Sequence, residues 1–577
     1  MRYLVLLLVL AGWCCAAPEG TYSTGEQDPI QLATWGDYVE LVATPNDWDE
    51  SIIMVANIDG GGASIDPIGS VASGVPFSGS FDGDNFTLSN IIINGSDNSP
   101  DQDAHFALFT KTASGVEIKD LICKNITITS ASENGTNTYC AILVAEHVNG
   151  ATITNCHAVD CTINFSHVNA TNDKYGICGM IAGSNHGVVT GCSSSGTIAY
   201  TAGTVSGTST WTSIGGVVGY QTGLAGGSVG HCSLSSSTVT ITANSAFSQI
   251  TTHIGGIVGT GVSTSNANHV TRCDYNGTIN VTNTTVASDK YMFVGGVVGS
   301  ADFLVTKCSA LGTIRSTAAL TTTNGYFVGG IAGRVSSTGT VNECFANMDI
   351  HVGHGNKSRV GLGVGMSNTG VVTNCYAKGS LYDLTEGDTT VLDFERGGGF
   401  AGSLFQGTVT NCYAATSAFS AKAGNSYIHG FGNVSTVTPT ACFWDKTIVN
   451  LGSDGTGFTG KTTEQMKTIG TFSGWDFDPA DGRNWKMLAT YNASACTYPY
   501  LDWQTYPYNG GSGTSNNPYR IKTLLDWNWA YGNIDNRSGD ITTYFTLQRD
   551  STLATEFMII KKGGSSPSGI FGGSGIY

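Results

Sequence analysis

Between about Gly179 and Phe443 the chain repeats one short pattern: a Gly-Gly-apolar-apolar-Gly element, a polar turn, then an apolar residue three positions before a single cysteine. The copies begin at Gly179 (GMIAG), Gly215 (GGVVG), Gly255 (GGIVG), Gly295 (GGVVG), Gly329 (GGIAG), Gly361 (GLGVG) and Gly398 (GGFAG), and from the second onward they are spaced by 40, 40, 34, 32 and 37 residues. Self-similarity at that period marks a solenoid, in which each copy buries its apolar face only against its neighbours.

The cysteines keep the same register. Cys156, Cys192, Cys232, Cys273, Cys308, Cys344, Cys375, Cys412 and Cys442 each close a copy. Two positions on stands a small or apolar residue in most copies (Ala158, Ser194, Leu234, Ala310, Ala346, Ala377, Ala414), while the residue between varies. This period-two alternation describes a strand with one buried face. Six residues after the cysteine another aliphatic position recurs (Ile198, Ile279, Ile314, Ile350, Leu381), usually behind a Gly-Thr or Gly-Ser turn. Proline is almost absent from the repeats and no long 3.6-period segment occurs. The expected fold is therefore all-β, a right-handed parallel β-helix whose coils stack by backbone hydrogen bonds about 4.8 Å apart.

A solenoid grows by adding coils, so 577 residues need no second globular core. The 78 glycines fit a packed fold because 40% of the residues are hydrophobic and in register. Charged residues make up 12%, with 26 basic against 43 acidic and a formal charge of −17. No Lys/Arg stripe follows the repeats, which argues against nucleic acid and against anionic membrane surfaces.

Residues 1–17 read as a secretory signal peptide: Arg2, an apolar run Leu4 to Leu10, then small residues, too short to span a bilayer. No other apolar stretch reaches 18 residues, so no membrane span is expected. In a secreted chain many cysteines suggest disulfides. Here stacked cysteines one coil apart read better as small buried hydrophobes, because parallel in-register side chains point the same way. Cys123, Cys140, Cys161, Cys178 and Cys496 lie off the ladder. Glycan acceptor sequons occur at Asn85, Asn125, Asn164, Asn276, Asn283, Asn356 and Asn433.

The expected organisation is a signal peptide over 1–17, an N-terminal cap with opening coils over 18–112, repeats over 113–450, a C-terminal cap over 451–507, and from 508 to 577 the start of a second, incomplete β-helix module. A helix-like PIQLATWGDYVEL opens the first module, and aligning Pro29 with Pro518 places Thr34 on Thr523 and Asp37 on Asp526. The cap carries Trp475, Phe477, Trp485, Tyr498, Tyr500 and Trp503, an aromatic density absent from the coils, and is expected to cover the last coil. The opening helix is expected to cover the first, since an open strand edge templates aggregation.

The coils GGVVG…VTKC…GTI and GGIAG…TVNECFANMDI, with the cap GWDFD…YPYLDWQ, resemble the GLUG motif. The resemblance covers most of residues 25–507. It implies a secreted or cell-surface β-helix, a group that includes adhesin-like proteins and non-catalytic parts of IgA-specific metallopeptidases. The motif speaks for fold more than for activity.

Catalytic motifs are sparse. There is no H-E-x-x-H; GGSVG at Gly226 and GTGFTGKT at Gly455 match the G-x-S-x-G and P-loop patterns, but neither is expected to act as a nucleophile elbow or a phosphate loop. His351 and His354 read as a solvated turn, and Gly397, Gly399 and Gly402 as the repeat's own turn glycines. A polysaccharide lyase or hydrolase needs carboxylates gathered from neighbouring coils. The densest acidic stretch, Asp383, Glu386, Asp388, Asp393 and Glu395 beside Arg396, is a single excursion, and Asp82 to Asn85 reads as an Asp-Gly turn. An ice- or crystal-binding face would need Thr-x-Thr in register on every coil, and the TVTIT near Thr238 is not so repeated. No catalytic residue, cofactor or metal is expected.

One outward ladder stands out: the residue after the cysteine is Phe345, Tyr376, Tyr413 and Phe443 on four consecutive coils. These aromatics are a candidate surface for glycans or cell-surface proteins, unless they stack on one another or lie beneath a loop. Cys192, Cys232, Cys273, Cys308, Cys344, Cys375, Cys412 and Cys442 form the structural ladder. The functional expectation is adhesion or a structural stalk, at the cell surface or secreted, with a carbohydrate-active enzyme or a non-catalytic part of a larger peptidase as the alternatives.

Overall fold

The computed structural model describes residues 29–504, except for a set of inter-strand segments, and four short strands beyond them. The signal-peptide stretch, Cys496, His354, Leu234, the Thr238 segment and residues 384–395 lie outside the described residues. The chain is a right-handed parallel β-solenoid. A representative coil runs through Ile250–Gly255, Val258–Ser263, His269–Thr271 and Asp274–Val281. Stacking its equivalents builds three faces: a 10-stranded sheet from the first strand, a 20-stranded sheet from the second and third, and a 14-stranded sheet from the fourth.

Identical types recur at one height of the stack because each pairing is parallel and in register. Ile254 lies on Val294, Val328 and Val360, and Ile279 on Ile314, Ile350 and Leu381. All are fully buried, as are Ala310, Ala346 and Ala377 two residues after their cysteines. Each inward side chain thus exchanges water for its counterparts above and below, at roughly 1.5–3 kcal/mol per large aliphatic.

The repeat's glycines make the first corner. A Cβ on Gly295 would stand 1.9 Å from the Val298 carbonyl oxygen, because two strands of one coil fold back on each other there with backbone against backbone. The second corner is made by the residue before each cysteine. Asn155, His231, Arg272, Lys307, Glu343, Asn374, Asn411 and Ala441 all have φ between 50° and 55°. A left-handed residue turns the chain sharply, at a cost of about 1–2 kcal/mol for non-glycine types. Where asparagine occupies the corner its amide reaches a neighbouring coil: Asn374 Nδ2 donates to Asn342 Oδ1 at 3.2 Å, and Asn411 Nδ2 to Asn374 Oδ1 at 3.3 Å.

At the amino end the helix Trp35–Ala43 begins with a capping box, Thr34 accepting from the Asp37 amide. It packs on Ile30–Leu32 and Ile58–Ser64 through buried Tyr38 and Leu41. At the other end Phe458–Lys461 adds a strand beside Cys442–Asp445. The aromatic segment that follows does not simply close this last coil: it turns back along the outer side of the 14-stranded sheet. Farther on, Tyr519–Ile521 pairs parallel with Thr543–Leu547, as Ile30–Leu32 does with Ser51–Met54, whereas Glu556–Ile560 and Gly569–Phe571 continue antiparallel.

Candidate functional site: two aromatic ladders

The ladder expected from the sequence exists, and it is covered. Phe345 stacks on Tyr376 at 5.0 Å and 10°, and Tyr376 on Tyr413 at 5.0 Å and 7°. Phe443 follows in register. Yet Tyr376, Tyr413 and Phe443 are buried, with Tyr413 wholly inaccessible. Over them lies the returning segment with Trp475, Trp485, Tyr498 and Trp503. Each polar tip is used: Tyr413 Oη donates to the Pro499 carbonyl at 2.6 Å, Trp475 Nε1 to Ala441 O at 3.0 Å and Trp503 Nε1 to Glu343 O at 2.8 Å. Tyr376 Oη bonds the Gln504 amide. Phe345, Tyr376, Tyr413 and Phe443 are therefore the seam of an internal clamp, and the expectation of a surface-binding ladder there is corrected. The reason is physical: four stacked rings present an apolar strip, and the chain's own aromatic segment buries it.

A second ladder, absent from the sequence reading, runs along the 10-stranded sheet. In register come His105, Tyr139, Ile177, Ser213, His253, Phe293, Phe327, Arg359 and Arg396. Because the glycine corner folds the next strand back, a companion column faces it: Glu146, Ser184, Tyr220, Thr260, Ser300, Arg334 and Met366. The two columns pack against each other with most of their side chains buried, and they leave an open cleft only where Tyr175, Trp211 and Tyr220 are partly exposed. Arg334 lies 4.7 Å over the Phe293 ring, and Trp211 is 5.0 Å from Tyr220. Tyr175 stacks on Trp211 at 4.9 Å and 19°. Phe293 and Phe327 are buried, whereas Tyr175, Trp211 and Tyr220 keep part of their faces open. At eight coil spacings of about 4.8 Å the column spans roughly 38 Å. The signal lay two residues before the first glycine of each repeat, as in HIGG, FVGG and RVGL.

The ionisable groups of the cleft are tied. Glu146 accepts from Lys111 at 2.8 Å and pairs with His105 at 3.0 Å. Burial works against its charge, but those partners together hold its carboxyl down at about 2. Asp302 pairs with Arg334 at 3.2 Å. Burial, aided by Arg334, pushes the His253 imidazole down to about 3, so it stays neutral at ordinary pH. Glu146 and Asp302 stand four coils apart, about 19 Å, well beyond the ~5–10 Å of a hydrolytic carboxylate pair.

Elsewhere the sequence-flagged residues serve the coil. His351 stacks on Tyr382 at 4.7 Å. Arg396 donates to Asn433 Oδ1, which places that sequon asparagine in a buried contact. Asp82 accepts from the Asp84 amide and pairs with Lys119. Backbone of neighbouring coils fills the space at Gly399 and Gly402. Thirteen cysteines are buried and free, including all eight of the ladder. Among the described residues no three His, Cys, Asp or Glu side chains converge as a metal site, and no helix is long and apolar enough to cross a membrane.

A threonine column does run in register on the 20-stranded sheet: Thr154, Thr190, Gly230, Thr271, Thr306, Asn342, Thr373, Thr410 and Thr440. The outward column beside it is mixed, with Val188, His269 and Leu304, so the flat two-column array is not built.

No family model matches the chain, and no curated protein does. Among solved structures the chain is similar to the crystal structure of a "putative immunoglobulin A1 protease" from Bacteroides ovatus, with 16% identity over 83% of this chain and 93% of that one and a TM-score of 0.24.

Proposed function

We propose that this chain is a secreted or cell-surface β-helix of the GLUG-like kind that acts in adhesion, with glycans as the ligands of its open cleft. The observation that carries this reading is the partly exposed platform of Tyr175, Trp211 and Tyr220, set on two neighbouring coils. Aromatic faces offer a sugar ring an apolar contact. The tied carboxylates of the cleft support binding over hydrolysis.

The test is a glycan array and a cell-binding assay on the full chain, with Trp211→Ala and Tyr220→Ala beside it. Loss of at least about tenfold in affinity by either variant, the size of one aromatic hot spot, is the expected result. A well-folded wild type that binds no glycan and no cell overturns adhesion and leaves a passive stalk. Release of new sugar ends from a bound polysaccharide would overturn the non-catalytic reading.

A further inference from the structure

The cysteine ladder has a geometry that hydrophobic packing does not require. Nine cysteines from Cys156 to Cys442 occupy one corner of successive coils, all buried and all free. Each thiol donates within its own coil, as Cys344 Sγ does to Asn342 O at 3.3 Å, Cys375 Sγ to Thr373 O at 3.0 Å and Cys412 Sγ to Thr410 O at 3.3 Å. Main-chain amides aim along the stack: Cys308 N donates to Cys344 Sγ at 3.5 Å, and Cys344 N to Cys375 Sγ at 3.4 Å.

Parallel in-register coils set equivalent atoms about 4.8 Å apart. That spacing exceeds the ~3.5–4.5 Å between Cβ atoms of a disulfide, so adjacent cysteines do not close a bridge without moving backbone. It is, however, close to twice a metal–thiolate bond of about 2.3 Å. A metal between two such sulfurs is two-coordinate and linear, an arrangement distinct from the convergent clusters of three or more donors that zinc requires. Thiolates are the donors that select soft ions such as Cu(I).

We propose that the stacked cysteines bind a soft monovalent metal ion, Cu(I) or Ag(I), held linearly between the sulfurs of successive coils and most tightly between Cys344 and Cys375. On binding, two S–H bonds break, both protons leave to solvent, two metal–sulfur bonds form, and the ion keeps its oxidation state. The pair then carries one net negative charge, and the amides that point at Cys344 Sγ and Cys375 Sγ stabilise it. Burial works against ionisation along the whole ladder, and that opposition is least where a main-chain amide points at the sulfur, at Cys344 and Cys375. Uptake is accompanied by proton release and weakens as pH falls.

The experiment is an anaerobic titration of the reduced full chain with Ag(I), and with Cu(I), against a competing chelator. It is run on native protein and on protein refolded with the ion, since the ladder is buried. The expected result is retention through gel filtration and an X-ray absorption spectrum with two sulfur neighbours per metal. Cys375→Ala weakens retention at least tenfold, while Cys123→Ala, buried but off the ladder, leaves it unchanged. Absence of retention in both preparations overturns the proposal. So does a nitrogen or oxygen coordination shell in the wild type, a readout that stands even where the variant fails to fold, or equal loss in both variants.

Discussion

Replacing Tyr413 separates a clamp seam from a ligand platform. The side chain is fully buried, stacks 5.0 Å from Tyr376 and 6.2 Å from Tyr498, lies 6.1 Å from Trp485, and donates to the Pro499 carbonyl. Removing a buried aromatic to alanine costs about 3–5 kcal/mol. The hydroxyl accounts for about 1 kcal/mol of this, and its loss leaves the Pro499 carbonyl without that donor. Tyr413→Ala is therefore expected to destabilise the clamp by about 4 kcal/mol, and Tyr413→Phe by about 1 kcal/mol. Coils couple mainly to their neighbours, so the loss stays local to the carboxyl-terminal coils. Hydrogen exchange over residues 463–477 and 497–503 and tryptophan emission read it directly: the clamp amides lose protection and Trp475, Trp485 and Trp503 shift toward water, while Ile198 and Ile254 amides hold theirs. An exposed platform residue would change stability by under about 0.5 kcal/mol. A Tyr413→Ala effect of that size, with unshifted tryptophan emission, would refute the seam.

Two further outcomes follow from the same geometry. Gly295→Ala forces a Cβ to within 1.9 Å of the Val298 carbonyl, and with backbone on that side it has no soft neighbour to move. Loss of about 3 kcal/mol or more in urea unfolding is expected, against a near-neutral Gly470→Ala, where nothing stands within 4 Å. The acid limb carries a histidine component, from His147 and His253, and a carboxylate component from Glu146; His253, held at about 3, loses its contribution as pH falls from 6.5 toward 3. Burial holds the folded His147 down at about 4, from an ordinary 6.5, so its contribution is complete above pH 6.5 and is lost as pH falls toward 4. Glu146, held at about 2 from an ordinary 4.5, keeps its contribution above pH 4.5 and loses it as pH falls toward 2. Thermal midpoints across pH 2–8 check both, and Glu146→Gln should remove the lower step while sparing the upper; a midpoint that is flat through both windows refutes them.

The coil was legible because its signal is periodic and physical. Glycine recurs where no Cβ fits, and Ala346 or Ile350 recurs where a side chain faces the stack. Direction was legible too: Tyr376 and Tyr413 do leave the coil outward. What covers them was not, because burial there depends on a segment far along the chain, with Trp503 bonding Glu343 160 residues away. The left-handed corner stayed hidden for a different reason. Its occupants include His231, Arg272, Lys307, Glu343 and Ala441 beside Gly191, Asn155, Asn374 and Asn411, so neither glycine nor asparagine marks it throughout; stacking of the adjoining strands imposes the conformation on them. The cleft was hidden because its ladder changes chemistry along the rod, from His105 and Tyr139 through Phe293 to Arg359, and only pairing register reveals it as one column.

The clamp and the cleft together decide where a ligand can act. Both ladders stack aromatic rings at coil spacing, so stacking alone does not distinguish a binding surface from a buried seam. Satisfaction of the polar tips does. In the seam the Tyr376, Tyr413, Trp475 and Trp503 donors are each spent on a partner within the chain. In the cleft the rings of Tyr175, Trp211 and Tyr220 pack on one another but keep open faces, and no segment like 463–503 lies over them among the described residues. Substitutions in the two ladders should therefore have opposite profiles. Tyr413→Ala lowers stability at the carboxyl end while glycan binding by the amino-terminal coils persists, because distant coils are energetically independent. Trp211→Ala removes binding with little change in the clamp. If instead both substitutions abolish binding to the same extent, the ligand engages the whole rod rather than the Tyr175–Trp211–Tyr220 platform, and the argument from open aromatic faces fails.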